Sequence, residues 1–423
     1  VTASDTRGAI DAVWRIEAAR VIAGLTRIVR DVGVAEDLAQ DALVAALQQW
    51  PKDGIPENPG AWLMQAAKHR AIDHLRRRQL LERKHDQLAY ETPSSHDAAA
   101  EIEQTLDDDV GDDLLRLIFA ACHPVLPAEA RVALTLRLVG SLTTAEIARA
   151  YLTSEVTIAQ RIVRAKKTLA ARRVPFEVPR GSDRAVRVAS VLDVIYLIFN
   201  EGYTATTGAE WMRASLCEDA LRLGRMLAEL LPEEPEVHGL VSLMEIQSSR
   251  LKARTGPSGE PILLMDQNRA RWDHLLIRRG IAALERAERL GGASGPLTLQ
   301  AAIAACHGRA RQFEDTDWPR IVTLYDELFA RQPSPVVALN RAVAIGMAAG
   351  PQAGLDAVDR LTAEPALEEY HLLWSVRGDL LAKLGRTAEA KAEFERAASM
   401  TENDRERTYL QQRADACATS ASR

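Results

Sequence analysis

The residues of this 423-residue chain best suited to chemistry are hydrogen-bond donors rather than nucleophiles. Glu155, Thr157, Gln160, Arg161, Arg164 and Lys167 are left facing outward from a helix whose apolar residues turn inward. A hydroxyl, an amide and guanidinium groups in that arrangement suit base edges and phosphates when a helix lies in a DNA major groove. Ile158, Ile162, Ala165 and Leu169 form the opposite, inward stripe. The segment before them fits a short first helix, in which Thr143 and Glu146 have capping-box spacing and Ala148 is small enough for a close helix crossing. Tyr151, Leu152 and Thr153 then form the expected turn, and Ser154 caps the second helix. Leu152 fills the turn position usually given to Gly. An ordinary helical hairpin with a solvated basic face has the same spacing.

Signatures of catalysis are missing. The sequence has no P-loop, HExxH, GxSxG or glycine-rich dinucleotide turn. Cys122, Cys217, Cys306 and Cys417 contain no CxxC pair, and the neighbours in Cys122-His123 and Cys306-His307 point to different sides of a helix. No enzymatic activity, cofactor or metal site is expected.

Charge is unevenly spread. The net charge of −6 argues against a nucleic-acid partner, yet a partner feels the local field rather than the total. Residues 68–84 carry seven bases, Lys68, Arg70, Arg76, Arg77, Arg78, Arg83 and Lys84, against Asp73 and Glu82. Residues 131–173 carry nine bases against Glu146 and Glu155. Between them, Asp97, Glu101, Glu103, Asp107, Asp108, Asp109, Asp112 and Asp113 face no base within residues 97–113. Two basic modules flanking an acidic spacer are harder to explain as solvated helix faces than either one alone.

The elements that must carry these residues are helices. Gly and Pro make up about a tenth of the chain, below average usage, and Ala, Leu, Arg and Glu fill long stretches with good helix formers, so an all-α fold is expected. After Gly33, Glu36 and Asp37 are expected in the first turn of a helix ending near Trp50 and Pro51, with a loop from Pro51 through Pro59 and Gly60. The next helix starts near Ala61 and buries Leu63, Ala67, Ala71 and Leu75 behind its basic face. The expected divisions are 1–92, an acidic linker 93–113, a helix-turn-helix body 114–176 and a helical region 182–423. No apolar run approaches the roughly 20 residues of a bilayer span, and the N-terminus lacks a basic stretch followed by an apolar one, so a cytoplasmic protein with no membrane partner is expected.

The stretch from Ala35 to Leu43, Pro59-Gly60-Ala61-Trp62-Leu63, and the stretch from Arg70 to Arg78 together resemble region two of bacterial extracytoplasmic-function sigma factors. Leu126-Pro127-Ala128-Glu129 and the 143–170 hairpin resemble region four of the same class. The resemblance covers about the first 175 residues and implies core RNA polymerase and promoter DNA as partners. It assigns Asp37, Gln40 and Asp41 to docking on the β′ coiled coil, with the β subunit as a further contact. It gives Trp62, Lys68, His69, Arg70, Arg76, Arg77 and Arg78 to the minus-ten strand, where cations meet phosphates and a planar surface meets an unstacked base. Ser154, Thr157, Gln160, Arg161, Arg164 and Lys167 fall on the minus-thirty-five duplex. His69 stands where the family usually has Asn, which implies a departure in promoter preference. The acidic linker is expected to thread the polymerase cleft.

The remaining chain resembles the sigma-factor group with a tetratricopeptide-like C-terminal extension. Trp374, Gly378, Leu381, Ala390, Phe394 and Ala397 fall at that repeat's offsets, and Ala338, Ala342, Ile345, Gly354 and Val358 form a degraded copy 36 residues earlier. Ile321, Tyr325 and Leu328 look like the second helix of another unit. Stacked helix pairs would leave a concave face for a protein or peptide partner. Gly202, in Phe199-Asn200-Glu201-Gly202-Tyr203, is expected as a left-handed residue just past a helix end. Two functions compete. One is a sigma factor whose own C-terminal domain modulates its activity; the other is a stand-alone helix-turn-helix regulator with a sensing repeat domain. The region-two resemblance favours the first, because an operator-binding regulator has no need of a polymerase-docking helix.

Overall fold

A computed structural model describes residues 3–86, 110–205, 212–257 and 260–421, with side chains for 6–80, 112–205, 212–257 and 260–418. Asp97, Glu101, Glu103, Asp107, Asp108 and Asp109 of the acidic run, and the side chains of Arg83 and Lys84, lie outside the described residues. The described residues form eighteen α-helices, an all-α fold whose only β feature is an isolated bridge between Thr255 and Pro261. The chain divides into two units, Val1–Leu197 and Ile198–Arg423.

In the first unit, α1 (Ala3–Val29), α2 (Val32–Asp53) and α3 (Pro59–Asp86) pack on one another. Alanines at the crossings, Ala35, Ala39, Ala42, Ala46, Ala67 and Ala71, are buried and allow close approach around Leu25 and Leu63. Leu75, expected in the stripe, is only half-buried. Helix α2 begins earlier than expected because the Asp31 carboxylate accepts from the Gly33 and Val34 amides, so Glu36 and Asp37 sit in the second turn. It also runs through Pro51 to Asp53 and stops at Gly54, whose φ is 87°. Pro59 and Gly60 are already helical, with the Asn58 side chain accepting from the Ala61 amide. Proline fits a first helical turn, where its missing N–H has no intrahelical partner to lose.

The second part of this unit contains α4 (Val110–Ala121), α5 (Ala128–Leu138), α6 (Thr144–Ala150) and α7 (Glu155–Ala171). Asp112 and Asp113, expected in the linker, belong to the first turn of α4, where carboxylates favour the helix dipole. Asp113 is buried and bonded to Arg116 at 2.7 Å and Arg27 at 3.2 Å. Thr143 and Glu146 form the expected capping box, and Ser154 accepts from the Thr157 amide. Ile158, Ile162, Ala165 and Leu169 are all buried, as is Ala148 at the crossing. Leu152 adopts φ 47°, the left-handed conformation that favours glycine. Helix α8 (Ser182–Tyr203) supplies the unit's last contacts: Arg187 donates to the Phe119 carbonyl and Ser190 to the Cys122 carbonyl, each at 2.6 Å. The body expected to end at residue 176 therefore draws on α8 up to Leu197.

The second unit is a run of helices in which successive members pack together: α9 (Ala214–Leu230), α10 (Pro235–Ser248), α11 (His274–Arg289), α12 (Pro296–Arg309), α13 (Trp318–Arg331), α14 (Pro335–Ala349), α15 (Pro351–Asp359), α16 (His371–Lys383), α17 (Thr387–Met400) and α18 (Asp404–Ala421). Helix α10 is buried on nearly all sides by α9, α11 and α12. Trp374, Leu381, Ala390, Phe394 and Ala397 all lie in the core of α16, α17 and their neighbours. In the preceding pair Ala342 and Val358 are buried while Ala338 and Ile345 are half-buried. Gly202 is not a left-handed cap; it lies inside α8, and a Cβ there would fall 2.7 Å from the Cys217 amide nitrogen. Close helix contact, not backbone freedom, is what requires glycine. Among the described residues no helix is long and apolar enough to cross a membrane.

Candidate nucleic-acid interface

Helix α7 owes its two-sidedness to its sequence. With the apolar stripe turned into the core, Ser154, Gln160, Arg164 and Lys167 are exposed and Thr157 and Arg161 half-buried. The six expected readout residues therefore share one outward face. Ser154 and Thr157 also bond each other through their hydroxyls, 2.7 Å apart, which fixes the start of the helix. Lys166, adjacent to Lys167 in sequence, turns the other way and pairs with Glu36 of α2.

Along α3, His69, Arg76, Arg77 and Arg78 are exposed, and Trp62, Lys68 and Arg70 are half-buried. Trp62 stands edge-on to Trp50, ring centroids 5.3 Å apart, so one side of its indole is taken by packing. Arg70 donates to the Ala66 carbonyl of its own helix. On α2, Asp37 and Asp41 are exposed and Gln40 half-buried, one helical turn apart, with the exposed Val44 continuing the ridge.

Ion pairs link the two parts of this unit. The Glu36 carboxylate is buried between Arg137, at 2.6 Å, and Lys166. Arg15 bonds Glu146 at 2.6 Å on the surface, and Arg27 reaches Asp113. In Glu146, burial raises the carboxyl pKa, but hydrogen bonds from Thr143 and the charge of Arg15 outweigh it and leave the group below its ordinary value. Next to the Glu36 cluster is a cavity of about 680 Å³ lined by Arg27, Arg30, Asp31, Lys166 and Arg173 among others. Sequence reasoning missed these pairs because Arg137 lies 101 positions from Glu36, and no local spacing reports such a contact. Among the described residues no group of three or more His, Cys, Asp or Glu side chains is placed to hold a metal ion.

A helix-turn-helix body and a three-helix bundle with an acidic ridge and a basic helix thus lie within one unit. Residues 15–80 match sigma-70 region 2 and residues 116–169 match sigma-70 region 4. Residues 187–288 match DUF6596, a family of unknown function. An uncharacterized protein of Rhizobium meliloti (strain 1021) is 42% identical over 399 residues, covering 94% of this chain and 93% of the relative. The chain belongs to one family with this uncharacterized relative, and its matched regions 2 and 4 support an RNA polymerase sigma factor of the sigma-70 type. Core RNA polymerase and promoter DNA are the partners that regions 2 and 4 imply.

Proposed function

We propose that this chain is an extracytoplasmic-function-type sigma factor that confers promoter specificity on core polymerase in the cytoplasm, catalyses no reaction itself, and is modulated by its own C-terminal unit. The observation that carries this reading is the exposure of three distinct faces on matched sigma regions: the Asp37, Gln40 and Asp41 ridge, the basic face of α3, and the outward face of α7. An acidic ridge suits the β′ coiled coil by charge complementarity. Lys68, Arg70, Arg76, Arg77 and Arg78 would hold the phosphates of the minus-ten strand, and His69 is the more exposed ring beside Trp62 for an unstacked base. Arg161 and Arg164, with Gln160 and Thr157, would read the minus-thirty-five duplex, and Ser154 and Lys167 would hold its backbone.

Geometry adds a requirement. Elements centred about 25 base pairs apart span roughly 85 Å of duplex at 3.4 Å per base pair. While Lys166 pairs with Glu36, α7 cannot lie that far from α2. The two regions must part on the promoter, and the Glu36 cluster is the contact that opening breaks.

The C-terminal unit supports the modulating role because the 42% identical relative shares it, so it is part of the family's unit rather than an appendage. Its α14–α17 helix pairs, with the tetratricopeptide-spaced positions mostly buried, support a repeat surface for a protein or peptide partner. The test is run-off transcription with core polymerase and promoter mapping. Arg161→Ala with Arg164→Ala should lose minus-thirty-five discrimination, at about 1–3 kcal/mol per base-contacting arginine. Truncation belongs after residue 205, because α8 closes the first unit. Activity unchanged by that truncation, in vitro and in cells, would remove the modulating role.

A further inference from the structure

A cluster in the second unit is used by neither sigma region. Tyr203 ends α8, Arg250 and Arg254 follow α10, Arg269 and Trp272 lie at a short 3-10 turn, and His307 is near the end of α12. The Arg254 guanidinium lies 3.5 Å over the Tyr203 ring and donates to the Tyr203 carbonyl and the Thr204 hydroxyl. Arg250 stands 5.8 Å from the centroids of both Tyr203 and Trp272, and Arg269 lies 4.7 Å from Trp272 on its own account. Three guanidinium groups thus share two aromatic rings. Arg254, Arg269 and Trp272 are 7%, 8% and 4% exposed.

For Arg250 and Arg269, neutral acceptors take the place of carboxylates among the described residues. Arg250 donates to the Tyr203 hydroxyl, and Arg269 donates to the His307 and Ala310 carbonyls and the Thr316 hydroxyl. Among the described residues, no carboxylate forms an ion pair with either arginine; Glu314 and Asp315 reach Arg269 only through their field. Ring quadrupoles attract cations weakly compared with a carboxylate. The Nε atoms of Arg250 and Arg269, the indole Nε1 of Trp272 and the Nδ1 of His307 are buried without a hydrogen-bond partner. The first three can only donate. Burial and the charges of Arg250 and Arg269 push the His307 pKa down to about 3, so its ring is neutral at pH 7. Among the described residues, what Arg250 and Arg269 lack is an acceptor carrying negative charge.

We infer that this cluster is a binding site for a small oxoanion-bearing ligand, a phosphate or a carboxylate, held by the Arg250 and Arg269 donors around Trp272. A planar guanidinium fork matches either group. A small ligand suits the site, because Arg269 and Trp272 are buried and Arg250 and His307 only half-exposed. The inference is independent of how the first unit acts on DNA. It gives the C-terminal unit a chemical input.

The experiment titrates the full-length chain with inorganic phosphate and, separately, with malonate, at constant ionic strength held by chloride, using calorimetry and tryptophan fluorescence. Saturable binding of one or both anions with near-equimolar stoichiometry is expected. Phosphate alone would mark a phosphate ester as the ligand class and malonate alone a carboxylate. Arg250→Gln should weaken binding at least about tenfold, as loss of a charge-assisted fork implies. Arg250 is half-exposed with a single hydrogen bond, so its replacement spares the fold better than that of Arg269. Should Arg250→Gln lose helicity, Trp272→Phe removes one donor while keeping a ring and should also weaken binding. Absence of saturable binding of either anion, or equal affinity in the folded variant, overturns the inference.

Discussion

Replacing Glu36 by glutamine probes the contact that joins the two sigma regions. The Glu36 side chain is 6% exposed, and Arg137 and Lys166 are 22% and 18% exposed, so water screens the cluster only in part. Arg137 makes an aligned bond at 2.6 Å, whereas Lys166 contributes a charge contact. Interactions with a charged group are worth about 1.5–3 kcal/mol each, and glutamine keeps one neutral bond of roughly 1 kcal/mol. Glu36→Gln also leaves two cations facing each other. With partial exposure discounted, the expected loss is about 2–4 kcal/mol. For a unit of this size that is a fall in Tm of roughly 5–15 °C. Scanning calorimetry of the full-length chain measures it, with Lys166→Gln made in both backgrounds. Lys166→Gln should cost much less once Glu36 is already glutamine, because contacting residues are non-additive. An unchanged Tm, or equal costs in the two backgrounds, would refute the argument.

Three further outcomes follow from single positions. Leu152→Gly should stabilise the helix-turn-helix by about 0.5–1 kcal/mol, since φ 47° costs a side-chain residue about 1–2 kcal/mol and glycine returns part of that as chain entropy; urea unfolding measures it, and a loss would contradict the turn geometry. Gly202→Ala should destabilise the chain by about 2 kcal/mol, because the added methyl meets the backbone of Cys217 and the side chain of Leu216; a neutral result in the same assay would show that α8 has room to shift. In Asp379, burial raises the carboxyl pKa, but bonds from Arg413 and Lys383, each at 2.8 Å, outweigh it and hold the group below its ordinary value. Its stabilisation is therefore present above the ordinary carboxylate pKa and lost as pH falls through the lower folded value. Between about pH 6 and pH 3 the wild-type Tm should fall more steeply than that of Asp379→Asn, and parallel profiles would exclude a contribution from this group.

The helix-turn-helix was legible because its signals are local: a capping box, a turn and a four-residue stripe that all fall within 143–169 and all form. Even its irregular residue, Leu152, marks the strained backbone position. Helix ends were less legible, because they depend on caps outside the apolar pattern. Asp31 starts α2 by accepting from the Gly33 and Val34 amides, and Pro59 opens α3 rather than breaking it. Gly202 was misread since a glycine near a helix end has two physical uses, and only the distance to Cys217 tells them apart. The Glu36 cluster and the arginines around Trp272 escaped notice for another reason: they draw together distant segments, and neither a buried ion pair nor a stacked guanidinium leaves a periodic trace.

The most direct measurement is gel filtration of the purified chain with core RNA polymerase stripped of its own specificity subunit. Co-elution is expected, with Asp37→Ala and Asp41→Ala together weakening it and promoter duplex joining only when polymerase is present. Failure to co-elute, together with tight binding of the free chain to duplex DNA, would contradict the sigma-factor account and favour a regulator that acts alone.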